Sequence, residues 1–152
     1  TRSIAKHRKA YHDYTIETPI ESGLVLEGWE VKAMRAHRVQ LKDSYCVARK
    51  GELWLINAHI SPLPTTAAYT HPNPTRSRKC LWHRKELNKL MGATQRQGYS
   101  IIPLELYWSK SHIKLKIALA KGKKLHDKRH SEKEKDWKRD QAKLQKSLKY
   151  GD

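Results

Sequence analysis

Three clusters of charged side chains have the residue types and spacing to do chemistry with a polyanion. Arg76, Arg78 and Lys79 follow Pro72 and Pro74, and Arg84, Lys85 and Lys89 continue the run. Cations on a chain held extended by prolines reach separate phosphates, and Arg grips a pair of anionic oxygens with two parallel hydrogen bonds. The second cluster is GWEVKAMR, Gly28 to Arg35. In it Glu30, which accepts hydrogen bonds and donates none, suits the amino groups of base edges. Lys32 and Arg35 suit the backbone, and Trp29 suits stacking on an unpaired base. A core Trp beside an acid paired to a surface base is the alternative for the same residues. The third cluster is Lys121, Lys123, Lys124, Lys128 and Arg129, in a run broken by Gly122.

Catalytic and metal-binding patterns are missing from the chain. Its nine histidines form no HExxH or comparable ligand pair, and Ser44, Ser61, Ser77 and Ser100 stand in no nucleophile elbow. Cys46 and Cys80 make no CxxC pair, which leaves neither a disulfide framework nor a zinc site. The expectation is a protein with no cofactor and no catalytic residue.

Charge points to the partner. The 152 residues carry 32 Lys and Arg against 15 Asp and Glu, a formal net charge of +17. So large an excess costs self-repulsion unless a polyanion relieves it, and nucleic acid is the first inference. A membrane is the competitor, but no apolar run approaches the ~18 residues that cross a bilayer. The opening TRSIAKHRKAYHDY lacks the apolar stretch of a secretory signal, so a cytoplasmic setting is expected.

These clusters need a scaffold, and the apolar groups that could build one concentrate between Ile16 and Leu119, with the N-terminal residues and the tail outside. Tyr14 to Leu26, interrupted by Pro19 and Gly23, reads as a broken strand or two strands. Glu27 to Arg38 reads as a helical turn or two. Ser44 to Ala48 and Glu52 to Asn57 flank Gly51 as a hairpin, with Tyr45 and Val47 opposed to Leu53 and Leu55. Ser61 to Thr75 is a proline-punctured loop. Ser77 to Met91 has Leu81, Leu87, Leu90 and Met91 at helical spacing, with Gly92 as a stop, which would crowd cations at a helix N-terminus where an anion is wanted. Tyr99 to Trp108 and His112 to Ala120 read as strands. In the second, Ile113, Leu115, Ile117 and Leu119 face one way, and Lys114 and Lys116 face a surface free to touch phosphate. The sum is a mainly β chain, a small antiparallel barrel with flanking helices.

Beyond Gly122, expected to break the last strand, the tail is lysine-rich and free of Pro and Gly from His130 to Tyr150. Trp137, Leu144 and Leu148 share one face of a helix, too thin a stripe to hold it alone. The expectation is a tail disordered when free and helical when bound, with Lys133, Lys135, Lys138, Arg139 and Lys143 as its cations. On residues alone a ribosomal or assembly protein and an RNA-modifying enzyme stay open.

HRKAYHDY, GLVLEGWEVKAMR, LKDSYCV, GELWLINAHI, NPTRSRKCLWHRKEL, GYSIIPLELYW and KLKIALAKGKKLHDKR, in this order along nearly the whole chain, resemble the SsrA-binding protein family, SmpB. The resemblance implies an OB-like closed antiparallel barrel with flanking helices and a basic C-terminal tail disordered when free. It implies an RNA-binding domain at residues 1–129 and a tail at 130–152. The implied partners are transfer-messenger RNA, held by its tRNA-like domain, and the stalled ribosome at its decoding centre and mRNA channel. Alanyl-charged RNA would be delivered with elongation factor Tu and GTP, for rescue and peptide tagging by trans-translation. Glu30 and Lys32 match the family's GxEVK element, Arg76, Arg78 and Lys79 its basic run, and Lys121 to Lys124 and Asp127 to Arg129 its GKK and DKR elements. His7 stands where the family commonly has Asn, and Glu132 where its tail has an apolar residue.

Overall fold

A computed structural model describes residues 2–17, 19–66, 70–82, 84–94, 98–123 and 139. Its backbone is the long hairpin of β9 (Tyr99–Ser109) and β10 (His112–Gly122), turning at Lys110 with φ 57°. From β9 the hydrogen-bonded order runs to β5 (Tyr45–Arg49), β6 (Glu52–Ile56), β8 (Arg78–Leu81), β3 (Ile20–Leu24) and β10, which pairs again with β9. The six strands therefore close into an antiparallel barrel, which removes the sheet edges. Two short strands extend it from outside: β1 (Arg2–Lys6) on β9 and β2 (Tyr14–Ile16) on β10. β4 (Val39–Gln40) and β7 (His59–Ile60) form a separate pair. The helices are α1 (Ala10–Asp13), α2 (Gly28–Arg35) and α3 (Arg84–Thr94).

Period-two patterning fills the interior with Leu53, Leu55, Leu106, Leu115 and Ile117, and α2 adds Ala33 and Met34 while α3 adds Leu87 and Leu90. Ile101 and Leu106 both reach this core although an odd spacing should put them on opposite faces. A bulge resolves it: Lys116 pairs with Glu105 and Ile117 with Pro103, leaving Leu104 unopposed. Ile102, Leu104, Ala118 and Ala120 consequently face out and make a second, smaller cluster with Ala10, against which Tyr14 and Ile16 pack. The hairpin is thus apolar on both faces along this half, and α1 and β2 cover the outer one.

Several expectations change here. The N-terminal residues are not outside the fold, because β1 belongs to the sheet and Ile4 and Ala10 are buried. The β5–β6 hairpin forms, with Lys50 and Gly51 both at positive φ as a primed turn requires. Its register differs: Tyr45 opposes Ile56 and Val47 opposes Trp54, while Cys46, Leu53 and Leu55 point inward. Ser77 to Met91 is not one helix, since residues 78–81 are a barrel strand and only α3 is helical. Gly122 ends β10 while paired with Tyr14. The tail from residue 130 lies outside the described residues apart from Arg139, which is exposed. Among the described residues no helix is long and apolar enough to cross a membrane.

Cys46 and Cys80 are free and buried, and the Cys80 thiol beside Cys46, with burial, pushes the Cys46 thiol well above its usual range. Neutral, enclosed thiols are poor nucleophiles. A thiol-reactive chromophore should therefore label neither cysteine in native protein and both in denaturant, as absorbance against time would show.

Candidate nucleic-acid interface

The site is built on a buried ion network. α2 begins with a capping box, in which the side chain of Glu27 accepts from the backbone of Glu30 and the Glu27 N–H donates to Glu30 Oε1 at 2.7 Å. Glu30 is fully buried, and its second oxygen accepts from Arg78 Nε at 2.5 Å. Arg78 is equally buried, and donates through its terminal nitrogens to the carbonyls of Ala58 at 2.6 Å and Pro74 at 3.0 Å. Arg76 reaches Glu30 Oε1 from the rim and holds Glu27 at 2.9 Å. Burial lowers the Arg78 pKa from its ordinary value, and the hydrogen bond and charge of Glu30 oppose that shift. The network ties α2, β8, the chain before β7 and the proline loop into one corner.

Three residues expected at the RNA are therefore placed inside. Glu30 and Arg78 spend their hydrogen-bonding capacity within the protein, and Trp29 is buried, its indole N–H donating to Glu27 Oε2 at 2.9 Å. Direct contact with a base or phosphate is not available to side chains so placed. Their alternation with surface cations looks the same in sequence as an all-surface cluster, because the partners lie 46 and 48 residues apart. The reading of Arg76, Arg78 and Lys79 at a helix N-terminus fails with the strand assignment, and the cations are neutralised by Glu27, Glu30 and Glu52 instead. Lys79 bridges to Glu52 at 2.8 Å.

Other expected cations are at the surface. Lys32 and Arg35 are exposed on α2, and the Arg35 guanidinium lies 5.8 Å from the centre of the Trp108 ring. Lys114 and Lys116 are half-buried on β10, with Lys116 5.9 Å from the Tyr107 ring. Lys121 is exposed beside Tyr99, and Lys123 donates to the Tyr11 carbonyl at 3.1 Å. Arg35, Lys116, Lys121 and Lys123 are held against aromatic rings or backbone, which reduces the freedom they would lose on binding. Lys124, Lys128, Arg129, Lys133, Lys135, Trp137, Lys138 and Lys143 lie outside the described residues.

Sequence reasoning missed two parts of this surface. Lys6, Arg8 and Lys9 face Lys42 across a groove of about 570 Å³ between β1 and β4. The HRK run signalled it, but nothing local revealed that β1 joins the sheet. Half-exposed Leu81 and exposed Val25 form the other part, beside Gly23. A Cβ at Gly23 would come within 3.3 Å of the Leu81 Cβ, so glycine permits this close approach. Next to it Tyr107 donates to Glu21 at 2.5 Å, and burial with that carboxylate raises the phenol pKa. Among the described residues no group of three or more His, Cys, Asp or Glu side chains could hold a metal ion.

Comparison with known proteins gives a consistent picture. A family model described as SmpB protein matches residues 4–147. The SsrA-binding protein of Thiobacillus denitrificans is 56% identical over 148 residues, 97% of this chain and 99% of its own length. That of Coxiella burnetii is 56% identical over 146 residues, covering 96% and 92%. A solved chain from the work "tmRNA-SmpB: a journey to the center of the bacterial ribosome" superposes with a TM-score of 0.65 at 37% identity, over 79% of this chain and 84% of that one.

Proposed function

This chain belongs to the SmpB family, and from that premise we propose that it is a noncatalytic adaptor that binds transfer-messenger RNA and delivers it to stalled ribosomes for trans-translation. The observation that carries the reading is the distribution of charge on the barrel. Glu30 is buried against Arg78, and Glu27 and Glu52 are paired with Arg76 and Lys79, while Lys32, Arg35 and Lys121 are exposed and Lys114 is half-exposed. A barrel surface so arranged neutralises phosphates of a folded RNA, and the buried corner fixes the helix and loop that present them.

Residues 1–129 hold the tRNA-like domain in this proposal, and residues 130–152 probe the vacant mRNA channel near the decoding centre. The alanyl-charged RNA arrives with elongation factor Tu and GTP, in the cytoplasm. Lys128 and Arg129 belong with the domain that holds the tRNA-like RNA, whereas the tail cations Lys133, Lys135, Lys138, Arg139 and Lys143 meet ribosomal RNA, and Trp137 anchors one face of the ordered tail.

RNA that copurifies with the chain from its host, sized and sequenced, tests the function directly. One small stable RNA with a tRNA-like end is the expected result, whereas a mixture of ribosomal RNA fragments would favour a ribosomal or assembly protein. Contacts of Lys32 and Lys114 with phosphate have their own readout. Replacing both with Gln should reduce the slope of log affinity against log salt by about 1.5, since each contact contributes roughly 0.7 to 0.9. An unchanged slope would remove both from the interface.

A further inference from the structure

The end of the barrel at the β9–β10 turn holds a trough of about 440 Å³ whose lining includes Arg2, Arg35, His37, Trp108, Lys110 and Ser111. No Asp or Glu is among its described lining residues, and three of them are cations. The trough is assembled from distant parts of the chain. Arg2 on β1 pairs in register with Trp108 on β9, Lys110 is carried outward by the tight turn, and Arg35 comes from the last turn of α2. Trp108 packs one side against the core and carries the Arg35 guanidinium at 5.8 Å. His37, itself at φ 56°, is pinned by a 3.1 Å hydrogen bond from Nδ1 to the Ile4 carbonyl. A carbonyl only accepts, so Nδ1 donates and Nε2 is the ring's other hydrogen-bonding atom.

We infer that this trough is a subsite for one unstacked nucleotide of a bound RNA, with the base on the Arg35–Trp108 pair and the adjoining phosphates on Arg2 and Lys110. The inference rests on the proposed RNA-binding function and assigns it a place where a base, and not only the backbone, is recognised. A guanidinium backed by an indole offers a flat, cationic platform, and such planes take splayed-out RNA bases. One flanking cation, Arg2, lies on β1 and the other, Lys110, in the β9–β10 turn, and together they suit successive phosphates. Ser111 and His37 Nε2 supply hydrogen-bonding groups for a ribose hydroxyl, which both donates and accepts. A patch that served only solubility would need neither the stacked aromatic nor the enclosing turn.

The test uses the full chain with three probes: hexauridylate, the same ribose-phosphate hexamer without bases, and inorganic polyphosphate of equal length. The indole N–H resonance of Trp108 is followed by NMR, and affinities are taken by titration. Hexauridylate should shift that resonance and bind at least about fivefold tighter than the abasic hexamer, the low end of base–aromatic stacking. The variant Arg2→Ser with Lys110→Ser, both exposed in the native fold, should weaken hexauridylate and leave the Trp108 spectrum of the free protein folded. Equal binding of all three probes, or a silent Trp108, would overturn the subsite. If transfer-messenger RNA still bound the chain in that case, the proposed function would stand without it. A chain that bound hexauridylate at Trp108 but not transfer-messenger RNA would uphold the subsite and sink the function instead.

Discussion

Removing Lys133 to Asp152 is expected to leave affinity for transfer-messenger RNA within about twofold, the usual tolerance between independent sites, while abolishing peptide tagging on stalled ribosomes. Electrostatics allows this separation. The deleted segment carries seven Lys or Arg and four Asp or Glu, so its loss takes only three of the seventeen formal positive charges. Residues 1–132 keep the rest, including the cations seated on Tyr99, Tyr107 and Trp108. Tagging is a different matter, because under the proposed function it also requires recognition of an empty channel. A polar segment with a thin apolar stripe gains too little from folding alone, so its ordering can be made conditional on a wall to fold against. Filter binding of the labelled RNA and a tagging assay on ribosomes stalled without a stop codon measure the two outcomes. A large loss of RNA affinity on truncation would show that the tail belongs to the RNA clamp. Reversion of Glu132 to Ile in the full chain is a finer probe: an apolar anchor at that place should raise tagging if the bound tail is helical.

The long hairpin was legible because Ile113, Leu115 and Ile117 alternate with Lys114 and Lys116, and alternation has a direct physical cause in the pleat. β8 was not, for the opposite reason. Its inward residues are Arg78 and Cys80, so the hydrophobic signal of a barrel strand is carried by a cation and a thiol. With Leu81, Leu87 and Leu90 following at near-helical spacing, the sequence pattern extends the helix back over the strand. β1 was hidden because Ile4 is its one fully inward residue in a run of polar and charged ones. The β5 register was misjudged because Tyr45 and Val47 favour strands yet face outward, leaving the smaller Cys46 inside. The same limit governs the site. Residue type singled out Glu30 in one cluster and Arg76 and Arg78 in another, and the fold joins them, but whether they act on RNA or on each other depends on burial, which long-range pairing alone decides.

Glu30 provides the sharpest test of that distinction. Replacing it with Ala is expected to destabilise the protein by about 3–5 kcal/mol, the cost of leaving a buried charge without its partner. Arg78 would remain fully enclosed with only the Ala58 and Pro74 carbonyls, and both the Glu27 N–H and Arg76 would lose an acceptor. Arg78→Ala should cost a similar amount from the other side, by stranding the carboxylate. Joint replacement, Glu30→Leu with Arg78→Met, should cost much less than the sum of the two alanine variants, because an apolar pair of similar volume removes the desolvation penalty with the attraction. Urea unfolding of the wild type and the three variants gives the comparison, and RNA affinity is then measured well below every midpoint. If the reading is right, Glu30→Ala loses RNA binding only to the extent that the α2 corner is loosened, and the joint variant recovers both properties in part. An alanine variant that unfolds at the wild-type urea concentration yet fails to bind RNA would place the Glu30 carboxylate at the RNA after all. It would mean that the corner opens on binding, since a fully buried acid with both oxygens engaged reaches a base only by leaving Arg78.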